Sequence, residues 1–148
     1  MAQVSTDAQG TPAKPAPGAN RPMPLSPHLQ VWRWHITMAG SIAHRATGVA
    51  LYGAALLAAG WALALALGPD AYDAYAGFLA SWLGLLILFG ITVSIFYHLA
   101  SGLRHLYWDT ARGLEPRTAN MLTVACFACA IVFSLVLWVG AFALGAPQ

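Results

Sequence analysis

The chain has 148 residues, of which 59% are apolar and only 8% are charged. A soluble domain carries about a quarter of its residues as charged groups, and a disordered chain is far less apolar and aromatic. The composition excludes both classes and leaves a membrane protein, while a net charge of +2 gives no indication of nucleic-acid binding.

Residues 1–27 differ in composition from the rest of the chain. They hold six of the nine prolines, set among alanine, glycine and polar residues. They lack the apolar core of a signal peptide, and the absence of arginine before position 21 is atypical of a mitochondrial transit peptide. We expect a mobile cytoplasmic arm here, followed by a membrane domain over residues 28–148.

Three long segments without any charged residue divide the remainder of the chain. They run over 46–69, 74–103 and 118–148. A helix needs about 20 apolar residues to cross a bilayer, so each segment can hold one span. The spans should be helical, because lipid offers the backbone no hydrogen bonds and the alternation of barrel strands is absent. The sequence predicts an all-α membrane protein with spans at about 40–67, 76–106 and 119–144.

The basic residues predict the orientation of these spans. Four lie in the segment that ends at the start of the first span, and three lie around the loop after the second span. The first loop, over residues 68–73, has none. Because basic loops stay on the cytoplasmic side, we expect a cytoplasmic N-terminus and a periplasmic C-terminus.

Three polar residues and a glycine near the start of the first span repeat at helical spacing and share one face. They are Ser41, His44, Arg45 and Gly48. A hydroxyl, an imidazole and a guanidinium on one face can hydrogen-bond a carbonyl oxygen or hold a carboxylate at the membrane edge. The alternative is an interfacial arginine and histidine that extend to lipid headgroups.

A second polar face lies near the end of the second span. It consists of Ser94, His98, Ser101, Gly102 and His105, followed by Asp109. With Arg104 taken as the span end, His98 lies roughly 9 Å inside it and needs a partner. Haem iron is one candidate, with Gly102 leaving room for a flat macrocycle and the serines orienting the imidazole. The alternative for His98 is a ring that packs in the bundle and is hydrogen-bonded to a neighbouring helix. His105 lies nearer to the membrane surface, where it would contact a haem propionate or a lipid headgroup.

Other groups limit what a metal site could be. Only His98 is deep within a predicted span, so a second haem ligand should come from another subunit. Cys126 and Cys129 form a Cys-x-x-Cys pair with neither a following histidine nor a second thiol pair. We interpret both as small packing residues.

Three stretches of sequence resemble the family of cytochrome b556 subunits of succinate dehydrogenase, the larger membrane anchor of respiratory complex II. They are Ser26-Pro27-His28-Leu29, the stretch 41–48 (Ser-Ile-Ala-His-Arg-Ala-Thr-Gly), and the stretch 98–109 that begins His-Leu-Ala-Ser-Gly-Leu-Arg-His. The likeness covers about residues 21–144, and the order of the stretches across three spans agrees with the family.

The resemblance implies a haem b shared with a small anchor subunit, which would supply the second histidine. His98 would be the axial ligand of the haem iron. His44, Arg45 and His105 would lie close to the haem propionates.

The resemblance also implies a ubiquinone pocket near the cytoplasmic face. Ser41 and Arg45 would line it and stabilise the partly reduced oxygen by hydrogen bonds, and Trp34 would form one wall. Succinate oxidation would belong to a flavoprotein subunit and an iron–sulfur subunit, since this chain has neither a dinucleotide-binding glycine loop nor enough cysteines for clusters. A bacterial inner-membrane location follows.

Two other functions stay open at this point. One is an anchor of a fumarate reductase, which runs the reverse reaction. The other is a membrane assembly or transport subunit without haem, which has no need for a deep imidazole at His98 beside Gly102.

Overall fold

Four helices make up residues 31–145, the part of the chain that the computed structural model describes. They are α1 (Ile36–Leu67), α2 (Pro69–Ala80), α3 (Trp82–Asp109) and α4 (Pro116–Ala143). Within the described residues, α1, α3 and α4 are long and apolar enough to cross a membrane. This confirms the predicted all-α class with three spans. The arm predicted over residues 1–27 lies outside the described residues.

The first predicted loop is wrong, because residues 69–80 form the helix α2. Gly68 ends α1 with a φ of 112°, a backbone conformation that favours glycine. Pro69 occupies the first turn of α2, where no backbone N–H is needed, and the carboxylate of Asp70 lies near the positive end of the helix dipole.

The second predicted span starts too early, because the chain breaks at Ser81 and α3 begins at Trp82. Ser81 caps α3: its hydroxyl donates to the carbonyl oxygen of Phe78 at 2.6 Å and accepts from the backbone N–H of Gly84 at 3.2 Å. A Cβ on Gly84 would lie 2.6 Å from Cα of Leu79, so glycine allows the close approach of α2 to α3.

Helix α3 packs against both α1 and α4. Large apolar side chains point outward, with Val49 74% exposed and Trp82 78% exposed. The buried positions are mostly small or polar, as in other membrane helix bundles. Cys126 packs in the core beside Tyr97 while Cys129 is exposed, and both thiols are free.

Candidate functional site

Three histidines from two helices meet at one end of the bundle. His44 of α1 stacks on His98 of α3, with ring centroids 4.0 Å apart and an interplanar angle of 13°. His105, two turns further along α3, tilts toward His44 at 5.4 Å between centroids. The two faces that the sequence predicts on separate spans therefore pack against each other. We call His44, His98 and His105 the histidine cluster.

Thr47 fixes the orientation of the His98 ring. Its hydroxyl donates to the carbonyl oxygens of Ala43 and His44, at 2.8 and 3.0 Å, as a threonine one turn along a helix can do. The hydroxyl oxygen also lies 3.3 Å from Nδ1 of His98. When the hydroxyl proton is directed at a carbonyl oxygen, the same oxygen can accept from an N–H at Nδ1, and in that tautomer of His98 the lone pair lies on Nε2.

Gly48 lets α1 approach the His98 ring closely. A Cβ at position 48 would lie 3.3 Å from Cε1 of His98, tighter than ordinary van der Waals contact. Gly102, predicted to leave room for a macrocycle, borders open space: within the described chain nothing lies within 4 Å of a Cβ placed there.

The serines predicted to orient His98 have other partners. The hydroxyl of Ser94 donates to the carbonyl oxygen of Gly90 at 2.8 Å, and Ser101 accepts from Arg104 at 3.3 Å. The prediction fails because Ser94 bonds its own helix backbone, as a serine in a membrane helix can, and because Ser101 is engaged by the guanidinium of Arg104. The partner comes from the neighbouring helix instead, in the form of Thr47.

The residues predicted to bind quinone lie on the accessible side of the same end. Ser41 is half-buried and Arg45 is exposed, one turn apart on α1. Trp34 is 60% exposed and precedes α1, which begins at Ile36, so its seven-residue spacing from Ser41 is not a helical repeat. The structure groups Ser41 and Arg45 with His44 on the first turns of α1.

Comparison with known proteins supplies the family. Residues 19–137 match the model of the succinate dehydrogenase/fumarate reductase transmembrane subunit. The succinate dehydrogenase cytochrome b556 subunit of Paracoccus denitrificans is 39% identical over 112 residues, covering 76% of this chain and 86% of that protein. The chain belongs to this transmembrane subunit family.

Other relatives of this family come from bacteria and animals. The cytochrome b556 subunit of Rickettsia felis is 34% identical, covering 78% of this chain and 90% of that protein. The mitochondrial cytochrome b560 subunit of Sus scrofa is 39% identical, covering 66% of this chain and 57% of that protein.

Sequence reasoning missed two residues of this transmembrane subunit. Thr47 lies three residues after His44 on α1, so its helical position was available, but its contact with His98 depends on how two helices pack. Arg104 was interpreted as a span end, whereas α3 continues to Asp109 and Arg104 is only 4% exposed. His98 is therefore further from the end of α3 than predicted.

Proposed function

We propose that this chain is a membrane-anchor subunit of succinate:ubiquinone oxidoreductase, respiratory complex II. It would hold one haem b together with a small anchor subunit and form part of the ubiquinone-reduction site. The observation that carries the proposal is the contact of Nδ1 of His98 with the hydroxyl of Thr47, because it leaves Nε2 of the same ring available as a ligand.

The histidine cluster and its surroundings suit a haem in three respects. Nε2 of His98 has no hydrogen-bond partner within residues 31–145, whereas Nδ1 has one. Nδ1 of His44 is buried without a partner, so it can meet an anionic group that the described chain does not supply. Open space borders Gly102 one turn after His98.

The second axial ligand would come from the small anchor subunit. A haem iron held by two histidines would need one ring nitrogen from each of them. The His44 ring stacks face to face on the His98 ring, so His44 would not supply the second nitrogen.

When bound, a haem supplies a one-electron carrier that alternates between ferric and ferrous iron. His98 would hold it, and Thr47 would keep the ligating ring in place. His44, Arg45 and His105 would contact the propionates through imidazole N–H groups and a guanidinium.

At the quinone site, this chain would contribute hydrogen-bond donors. The guanidinium of Arg45 and the hydroxyl of Ser41 would bind a quinone carbonyl oxygen and stabilise the negative charge that develops there during reduction. Trp34 would form one wall of the pocket. Two electrons and two protons are needed for each quinone reduced to quinol, and the electrons would arrive from the iron–sulfur subunit.

Partners and location follow from the same proposal. The flavoprotein and iron–sulfur subunits would dock at the cytoplasmic end, which carries the histidine cluster, and lipid would surround the exposed apolar faces of the helices. The N-terminus would be cytoplasmic and the C-terminus periplasmic. Similarity to proteins of Paracoccus and Rickettsia supports a bacterial inner membrane.

The relatives compared are named as succinate dehydrogenase subunits, which does not favour the fumarate reductase or non-haem alternatives.

The experiment that tests this function is a reduced-minus-oxidised absorption spectrum of the complex purified through this chain, with identification of the copurifying chains. We expect a b-type α-band and three partner subunits. A four-subunit complex without any haem signal would contradict the haem assignment, and the absence of dehydrogenase subunits would contradict the anchor assignment.

A further inference from the structure

Arg104 is a buried cation whose hydrogen-bond and ring partners among the described residues are neutral groups. It is 4% exposed within α3. Its Nη1 donates to the hydroxyl of Thr123 at 2.6 Å and its Nη2 donates to the hydroxyl of Ser101 at 3.3 Å. The guanidinium carbon lies 4.6 Å from the ring centroid of Trp108, and Nε is buried without a partner.

Within residues 31–145, the hydrogen-bond and ring partners of Arg104 are the neutral groups just given, and none of them is a carboxylate. An arginine stays protonated in proteins, and a charged group buried in a membrane bundle is costly and usually functional. The hydroxyl of Thr123 donates its proton to the carbonyl oxygen of Ala119, at 2.7 Å. The hydroxyl oxygen of Thr123 therefore acts as an acceptor toward the guanidinium of Arg104.

The charge lies at the junction of the three spans, next to the histidine cluster. Nη1 of Arg104 is 3.2 Å from the position that a Cβ on Gly40 would take. Gly40 is one turn before His44 on α1, and its carbonyl oxygen accepts from the hydroxyl of Tyr97 at 2.9 Å. On α3, Arg104 directly precedes His105 and follows His98 by a rise of about 9 Å.

We infer that Arg104 is a positioning residue that joins α1, α3 and α4 at the histidine cluster and raises the reduction potential of the haem iron that His98 holds. This inference rests on the proposed haem function. Reduction of ferric to ferrous iron adds one electron, supplied in a titration by a chemical reductant, and lowers the net charge of the site by one. A fixed cation in a low-dielectric surrounding favours the form with the lower positive charge.

The test is a redox titration of the haem in the intact purified complex, compared among variants. Arg104→Gln removes the charge, Arg104→Lys keeps it, and Arg112→Gln is the matched control, because Arg112 is an exposed arginine in the segment after α3. We expect a lower midpoint potential in Arg104→Gln. We expect the midpoint potential of Arg104→Lys to stay close to that of the wild type, because the charge is kept. Its melting temperature should be lower, because lysine cannot reproduce the two guanidinium hydrogen bonds to Thr123 and Ser101. Arg112→Gln should leave the potential unchanged.

An unchanged potential in Arg104→Gln at full haem content would overturn the inference, and so would equal shifts in Arg104→Gln and Arg104→Lys. If Arg104→Gln does not accumulate, Ser101→Asp decides, because it places a carboxylate beside the guanidinium and neutralises the charge with Arg104 still present. A lowered potential there supports the inference, and a wild-type potential overturns it. Failure of the proposed function is distinct, because the wild-type complex would then show no haem to titrate.

Discussion

His44 on α1 and His98 on α3 stack face to face, with ring centroids 4.0 Å apart and planes inclined by 13°. This contact brings together the two polar faces of the chain, one with Ser41 and Arg45 and the other with His98 and His105. The residues proposed to bind quinone and the residue proposed to ligate haem iron therefore share one end of the bundle.

The close approach at Gly48 predicts a graded effect of side-chain size. Gly48→Ala should lower the haem content of the purified complex partially, and Gly48→Leu should lower it strongly, because the added atoms displace the His98 ring. Overpacking of this kind costs about 1–3 kcal/mol. Haem per complex, measured from the α-band absorbance, checks the expectation.

Gly53→Ala is the matched control for the substitutions at position 48. Gly53→Ala raises the helix propensity of α1 by the same amount as Gly48→Ala. Among the described residues, nothing lies within 4 Å of a Cβ placed at position 53. It should keep full haem content. Equal haem contents in Gly48→Leu and Gly53→Ala would show that α1 does not press on the haem ligand.

The hydrogen bond between Thr47 and His98 predicts a loss of haem affinity in Thr47→Val. Valine keeps the shape but removes the hydroxyl that contacts Nδ1 of His98. Loss of such a supporting contact costs about 10- to 100-fold in affinity. The rate of haem transfer from the complex to an apo-globin acceptor measures it, and Thr47→Ser, which keeps the hydroxyl, should behave as wild type. A wild-type rate in Thr47→Val would contradict this role.

Exposed Arg45 predicts a separation of two activities. Arg45→Ala should lower succinate:quinone reductase activity on the order of 100-fold, as loss of one strong donor to a developing negative charge does. Succinate oxidation by an artificial dye should persist, because it needs only the peripheral subunits. Arg45→Lys keeps the charge without the planar fork and should be intermediate. Full activity in both assays for Arg45→Ala would remove Arg45 from the quinone site.

The three spans were predictable because lipid tolerates few charges, so each long uncharged segment indicates one span, although the helices extend beyond these segments. The start of α3 was not predictable, because the end of α2 and most of α3 lie in the same uncharged segment, 74–103, and the break depends on the cap at Ser81. The start of α2 did leave a signal, in the order glycine, proline and aspartate over residues 68–70.

Within the site, helical spacing placed His44 with Arg45 and His98 with His105 on their own faces. It could not show which faces meet, because the rotation of one helix against another depends on packing over their whole length. The Thr47 contact with His98 and the burial of Arg104 are both consequences of that rotation. Arg104 was therefore taken as the end of a span, whereas it lies buried within α3.

The most direct test of the account is the absorption spectrum of the complex that carries His98→Ala, recorded beside His35→Ala. His35 is an exposed histidine at the start of α1 whose ring contacts Thr37, outside the histidine cluster. With all subunits copurified in equal amounts, we expect the b-type α-band to be lost in His98→Ala and kept in His35→Ala. A full α-band with an unchanged midpoint potential in His98→Ala would contradict the assignment of His98 as the haem ligand.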